Sequence, residues 1–494
     1  METITASRPE PAQVVTGTGA APGEATGPAA VPPVFRRLLA NTLVTSVTSS
    51  FLWFALTFWV YLETHSVVAT GSIAGAFSIS AAILGPAFGT FVDRHRKHTA
   101  MVLTTTLSAV SFAAATVVFL AVDAGSLLRL DGPWFWLLVS TTLLGSVAGQ
   151  MRGIALSTTV TLLVAEDRRD RANGMVGTVT GVAFALTSVF SGLVIGGLGM
   201  GWAYYGALAL TIAAVAHLRT IRFDEPVPEP EPVAEGRGWA RHLDVRSALT
   251  SVRAVPGLLM LILLAAFNNL LAGVFMALMD PYGLTLVSVE TWGLLWAFIM
   301  LAFIAGGIVV ARRGLGRNPL RVLLAANLVN WSICSVFALR SSIWMLAVGM
   351  VVWLALIPVI EAAEQTVLQR SIPFERQGRV FGFAQLVENA ASPLTAFAMA
   401  PLAESVFMPF MTDGRGADWI GSWFGTGPDR GLALMFTLAG LIGVVVTVAA
   451  RTSRSYARLA AEAETGVEAE RVAGAEPVIG IAGCPDLADC AAAA

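Results

Sequence analysis

The chain has 494 residues, 55% of them apolar and only 13% charged, with a mean hydropathy of +0.71, whereas a soluble domain carries about 25% charge. Such a composition excludes a water-soluble globule and points to a lipid bilayer as solvent. The net charge of -2 hides a strong asymmetry, since nearly all the charges fall in short clusters between long uncharged runs, and no nucleic acid is expected as a partner. The single lysine, Lys97, follows Arg96, so no GK[ST] phosphate loop and no ATP motor is encoded.

Residues 1 to 34, rich in Pro, Ala, Gly and Thr, lack the apolar segment of a signal peptide and read as a disordered tail. Beyond them, a bilayer core takes about 20 helical residues to cross. Twelve apolar runs fit that length, near 39–61, 67–92, 99–122, 134–165, 175–199, 201–218, 256–279, 291–311, 320–339, 343–368, 380–409 and 431–450. The fold class predicted is an all-α membrane protein with twelve transmembrane helices in two pseudo-symmetric six-helix bundles. The bundles span 35–218 and 256–450. The linker, 219–255, begins with a Pro/Glu run, Asp224 to Glu235, and continues into a basic amphipathic stretch, Trp239 to Arg253. The last segment, 451–494, is a second tail in which Tyr456 to Glu470 forms at most a frayed helix.

With both termini in the cytoplasm, 26 of the 31 basic residues fall in tails and cytoplasmic loops, Arg129, Arg340, Arg415 and Arg430 lie outside, and Arg152 lies within a span. The positive-inside rule selects this orientation and an even number of spans in the inner (plasma) membrane. The halves also repeat: Gly89-x-x-x-Asp93-Arg94 is echoed by Gly307-x-x-x-Ala311-Arg312, and Arg168-x-x-Arg171-x-x-Gly174 by Arg376-x-x-Arg379-x-x-Gly382. Internal repeats of this kind mark transporters. Three cysteines, Cys334, Cys484 and Cys490, make no CxxC pair and the five histidines add no ligand cluster, so no disulfide, metal or cofactor is expected.

The stretch Gly89-Thr-Phe-Val-Asp93-Arg94-His-Arg-Lys97-His resembles the G-x-x-x-D-R-x-G-R-[RK] loop after the second span of the major facilitator superfamily, with Arg96 in the second glycine's place and His98 in the last basic one. Asp170-Arg-Ala-Asn-Gly174 and Ile372-Pro-Phe-Glu-Arg376-Gln-Gly-Arg379-Val-Phe-Gly382 resemble its twelve-span drug:proton antiporter group, which includes macrolide, tetracycline and siderophore exporters. At Thr187-Ser188 the chain departs from the Gly-Pro pair expected in the fifth span of an exporter. The resemblance covers about residues 36 to 450. It implies alternating access, a central cavity lined by the first, fourth, seventh and tenth helices, and a cytoplasmic gate at Asp93 and Arg94.

Gly89 permits close approach of the second and eleventh helices, which sets Asp93 at the N-terminus of the eleventh, where a helix dipole favours a negative charge. The gate residues are Gly89, Asp93, Arg94, Lys97, Arg168, Arg171, Arg376 and Arg379; the alternative is that these charges only anchor loops and set topology. Ionisable groups inside spans are costly and mark function. Glu361, Glu364 and Glu388 are the proton-coupling candidates. Glu361 lies about 13.5 Å from Arg370 and Glu388 about 13.5 Å from Arg379, so the acids share a depth. Glu361, Glu364 and Gln365 share one helical face, and two carboxylates so close in a low dielectric do not both ionise easily. The alternative for the pair is a structural ion pair with Arg152 or a loop arginine that locks helices together, and Glu388 sits on a helix that packs behind the cavity more than it lines it. Arg152, expected on the wall opposite the acids, Gln365, and the polar belt Ser49, Ser50, Asn268 and Asn269 form the candidate substrate cavity; such polar groups also simply stitch neighbouring helices. Trp53, Phe54, Trp59, Phe267, Phe275 and Trp353 are cavity or packing aromatics.

The resulting reading is a monomeric secondary transporter, not an enzyme, that couples efflux of small amphipathic, drug-like compounds to protons by alternating access. Its partners are the substrate, protons and the lipid bilayer. A transporter of one endogenous metabolite or siderophore, exported or imported, is the alternative. A membrane receptor or an intramembrane enzyme is the reading from another class.

Overall fold

The computed structural model describes residues 31–64, 67–225 and 245–460. The tails before and after these residues, Cys484, Cys490, and most of the Pro/Glu run of the linker lie outside them.

Twelve helices of 18 to 32 residues carry the chain: α1 Pro33–Thr64, α2 Val67–Arg94, α3 Lys97–Ala121, α4 Pro133–Leu163, α5 Arg169–Gly197, α6 Met200–Thr220, α7 Leu258–Leu286, α8 Val289–Arg313, α9 Pro319–Val336, α10 Ile343–Ser371, α11 Gln377–Leu402 and α12 Pro428–Thr452. Eight of them are long and apolar enough to cross a membrane by length and composition. Among the described residues there is no strand. Local chemistry sets the boundaries. Proline at the first helical position opens α4, α9 and α12, where its missing N–H costs nothing. Gly199, at φ +85°, turns the chain between α5 and α6, in a backbone region that only glycine enters freely. The eleventh predicted run, which extended to 409, ends earlier: a π turn at Ala403–Phe407 follows Leu402, and a short helix, Met408–Thr412, packs on α12 with Met411 buried in the second-half core.

The packing repeats with a step of six helices. In the first half α1 packs on α4, α5 and α6, α3 on α4 and α6, and α2 on α4; in the second half α7 packs on α10, α11 and α12, α9 on α10 and α12, and α8 on α10. Between halves, α2 meets α11 and α8 meets α5, a pair of contacts that the same step exchanges. The buried apolar side chains show how these halves meet. At the face where α1 begins and α12 ends, here called the termini face, one core joins both halves, running from Phe35, Val92 and Ile154 to Leu258, Val310 and Val367. Toward the far face it divides into one core per half, the first around Leu52, Phe112 and Tyr204, the second around Phe275, Trp331 and Phe436. Among the described residues, the buried apolar core is continuous between the halves only at the termini face.

Arg430, at the far end of α12, is 2% exposed. Its guanidinium donates to the carbonyls of Phe424 (2.7 Å), Ala338 (3.1 Å) and Leu339 (2.8 Å) and to Ser341 Oγ (3.2 Å), and it lies 4.3 Å from the Phe424 ring centroid. Carbonyls at a helix C-terminus favour a cation, so Arg430 ties α12 to the end of α9. Hydrogen bonds to a charged group contribute about 1.5–3 kcal/mol each, and not additively. Arg430→Met is expected to destabilise the protein by about 2–4 kcal/mol, seen as a lower melting temperature in detergent; an unchanged melting temperature would show the staple to be idle.

Candidate functional site

Three acids converge where α10 and α11 pass in the bundle interior. Glu364 on α10 and Glu388 on α11 are close enough to interact electrostatically, and Glu361, one turn back on α10, interacts with both. No ion pair among the described residues links any of the three to a basic side chain. Glu364 Oε1 and Gln365 Oε1 are buried and accept no hydrogen bond, while Glu361 is exposed. Pro358, inside α10, stands one turn before Glu361 and removes a rung of the helix ladder there. The acids thus sit directly after a weakened point of α10, and Pro358 itself lies against α5, 3.3 Å from the position of a Cβ on Gly177, and against α8 at Gly306.

This geometry differs from the expected cavity in three respects. Arg152 does not face the acids. It is 4% exposed and buried within the first half, donating to Asn41 Oδ1 (2.6 Å), Thr42 Oγ1 (3.2 Å) and Thr105 Oγ1 (3.1 Å). Its face of α4 turns toward α1 and α3, so the expected pairing with Glu361 or Glu364 across a cavity does not form. Ser49 lines the same small polar cavity as Arg152, one with room for about one water. Asn268 accepts from Trp331 Nε1 (2.9 Å) and Asn327 Nδ2 (3.2 Å), which makes it an internal stitch of the second half. Ser50 and Asn269 are half-buried. Glu388, expected behind the cavity, instead completes the acid cluster. Of the aromatics, Phe275 is buried in a ring cluster with Trp331, Phe337, Trp353 and Phe436, and Trp59 packs on Phe119.

At the termini face, Asp93 Oδ1 accepts the Gly378 N–H (2.6 Å), and Oδ2 accepts both the N–H (2.9 Å) and Nε (3.1 Å) of Arg379. One carboxylate therefore caps the first turn of α11 and pairs with a cation on it, both buried. Arg379 also donates to Ser247 Oγ (3.0 Å) on the linker helix Val245–Ala254. Lys97 is buried, donates to the Val92 carbonyl (3.0 Å) and lies 4.9 Å from the Phe374 ring centroid. Arg94 and Arg376 are exposed, Arg171 is half-buried, and Arg168 pairs with the neighbouring Asp167 (3.5 Å).

Three glycines beside Gly89 make this contact possible: Gly85 on α2, and Gly378 and Gly382 on α11. A Cβ on Gly89 would lie 2.2 Å from the Gly378 oxygen, one on Gly378 2.6 Å from the Gly89 oxygen, and one on Gly382 2.4 Å from the Gly85 oxygen. Gly89→Ala must force α2 and α11 apart by about 1 Å or more to restore van der Waals contact. Transport should be lost from a protein that stays folded and monodisperse, whereas Gly153→Ala, with nothing within 4 Å of its Cβ, should be silent; a Gly89→Ala variant at full rate would show that the helices need not meet.

The repeat's second copy of the gate is built differently. Ala311 stands where Asp93 stands in the first copy, and the acid comes from the facing helix: Asp170 in the first turn of α5 accepts the Leu315 N–H (2.5 Å) just beyond α8. Beside it, Asn173 on α5 donates to Thr366 Oγ1 (2.9 Å) and Gln369 Oε1 (2.9 Å) on α10, and Gln369 Nε2 donates to the Ser157 carbonyl (3.0 Å). Arg370 pairs with Glu166 (3.6 Å). Sequence reasoning passed over Asp170, Asn173, Gln369 and Gly378 as functional residues. The spacing Gly85-x-x-x-Gly89 opposite Gly378-x-x-x-Gly382 was the signal available.

The family model described as Major Facilitator Superfamily matches residues 38–396. No curated protein matches the chain. Among solved structures, a bacterial homologue of the iron transporter ferroportin in an outward-facing state is 17% identical, covers 85% of this chain and 100% of its own, and superposes with a TM-score of 0.63. The human organic anion transporter MFSD10 (TETRAN) is 15% identical, with 84% and 100% covered and a TM-score of 0.57. The E. coli fucose:proton symporter FucP is 11% identical, with 83% and 99% covered and a TM-score of 0.57.

Proposed function

Because the chain belongs to the Major Facilitator Superfamily, it is a secondary transporter and not an enzyme, and we propose that it exports small amphipathic cations across the plasma membrane in exchange for protons. In this reading the termini face is cytoplasmic, as the distribution of basic residues indicates.

The observation that carries the reading is the acid cluster of Glu361, Glu364 and Glu388. Three carboxyls so close in a low dielectric favour keeping a proton, no ion pair among the described residues links them to a basic side chain, and the two buried acceptor oxygens of Glu364 and Gln365 favour a ligand that brings donors. A protonated amine on an apolar body meets that description, since it supplies both N–H groups and charge. Its arrival favours release of the proton, and reprotonation favours release of the cation, so the two compete for one site. Competition of this kind gives exchange when the site is offered alternately to the two faces. In this reading the termini face is closed by Asp93–Arg379 and the Asn173–Gln369 network, and the site is offered to the far face. Proton coupling is also part of the name of the fucose:proton symporter, although that protein moves a neutral sugar.

The test is accumulation of ethidium, a fluorescent lipophilic cation, in cells with and without the protein, before and after the proton gradient is collapsed. Lower accumulation that depends on both protein and gradient is expected. Equal accumulation in all four conditions for ethidium and for a panel of other lipophilic cations contradicts cation export.

A further inference from the structure

Between α11 and α12 the chain makes a long excursion at the far face, and within it lies a ten-residue helix, Arg415–Phe424. At about 3.6 residues per turn its side chains divide into three faces rather than two. Gly416 and Phe424 are buried and Ile420 half-buried against the second half. Asp418 and Ser422 are exposed on another face. Trp419 and Trp423, four residues apart, are 67% and 55% exposed between these two, with the Arg415 guanidinium 5.2 Å from the Trp419 ring centroid.

A helix in water has no use for an exposed tryptophan stripe, and a helix inside lipid has none for Asp418. A helix lying in the membrane surface beside a protein wall needs one face for each surrounding. Its height agrees. The excursion joins the far ends of two spanning helices, and the other strongly exposed tryptophans among the described residues, Trp134, Trp136, Trp202 and Trp344, also sit at helix ends on the far face. Tryptophan concentrates at the headgroup level of a bilayer.

We propose that Arg415–Phe424 is a lipid-binding helix that lies in the headgroup layer at the far face, with Trp419 and Trp423 inserted at the acyl boundary and Arg415 on lipid phosphate. The helix is moored through the Phe424 carbonyl and ring to Arg430, which also grips the end of α9. The bilayer thereby holds the far rim of the second half at a fixed depth.

The test uses the full chain in nanodiscs of phosphatidylcholine and phosphatidylglycerol, with Cys484 and Cys490 replaced by serine, Cys334 left buried and unreactive, and an environment-sensitive fluorophore on one introduced cysteine. At Trp419→Cys and Trp423→Cys the emission should shift to shorter wavelength and lose most of its intensity to nitroxide-labelled lipid, while Ser422→Cys should stay water-like and unquenched. All three positions are exposed, so the fold does not depend on them. Water-like emission at 419 and 423, or equal quenching at all three, overturns the proposal. Arg415→Glu should weaken quenching at 423 in discs containing phosphatidylglycerol; the same quenching as with Arg415 removes the phosphate contact from the account.

Discussion

Asp93→Asn should open the termini face of the bundle. The carboxylate is buried with three donors aimed at it, two backbone N–H groups of α11 and Nε of Arg379. An amide keeps one acceptor oxygen, turns an NH2 toward a donor, and leaves Arg379 without its counter-charge. Breaking a buried ion pair by removing one partner costs about 3–5 kcal/mol. Only the conformation closed at this face contains the pair, so the full cost falls on that conformation and its population relative to the open one should drop by about two powers of ten or more. The protein should still fold, because the halves pack internally through other contacts. Spin labels at His95 and Glu375, both exposed on either side of the contact, should show a longer and broader distance distribution in Asp93→Asn, and transport should slow. An unchanged distribution shows that the contact is not the latch.

Replacing Glu364 and Glu388 together by glutamine should uncouple transport from the proton gradient. Two carboxamides can hydrogen-bond each other, and the substitution preserves volume, so the two helices should sit as before. The pair then carries no exchangeable proton. For a one-to-one exchange, each unit of pH difference sustains about tenfold accumulation of cation, since one unit equals about 1.36 kcal/mol. In proteoliposomes the intact protein should reach that ratio with ethidium, and the double variant should equilibrate the dye without concentrating it. If the double variant concentrates ethidium as well as the parent, these glutamates are structural.

The twelve-helix architecture and its internal repeat are legible because the bilayer imposes them on single residues: about twenty apolar side chains per crossing, arginines kept to one side, and a gate motif copied with decay. The ends of elements are less legible. No composition change marks the π turn at Ala403, since Glu404 and Ser405 sit among apolar neighbours that read as more helix. The site divides along the same line. Embedded charge is rare enough to single out Arg152, Glu361, Glu364 and Glu388, but the direction in which each points depends on the rotation of its helix, which the apolar pattern of a lipid-immersed helix barely constrains. Arg152 turned inward to Asn41 and Thr105 for that reason, and Glu388 came round to meet Glu364. Asp170 illustrates a different limit. Its partner is a backbone N–H at Leu315, and backbone donors carry no residue type by which a sequence can reveal them.

The central claim is that the α10–α11 carboxyls carry the proton that exchanges with substrate. It is tested most directly by following protons during transport, in proteoliposomes with a pH-sensitive dye trapped inside and ethidium added outside. Entry of ethidium through the intact protein should raise the internal pH, and the change should vanish in a variant with glutamine at 361, 364 and 388. Ethidium movement with no pH change in the intact protein, or an undiminished pH change in the triple variant, would contradict the account.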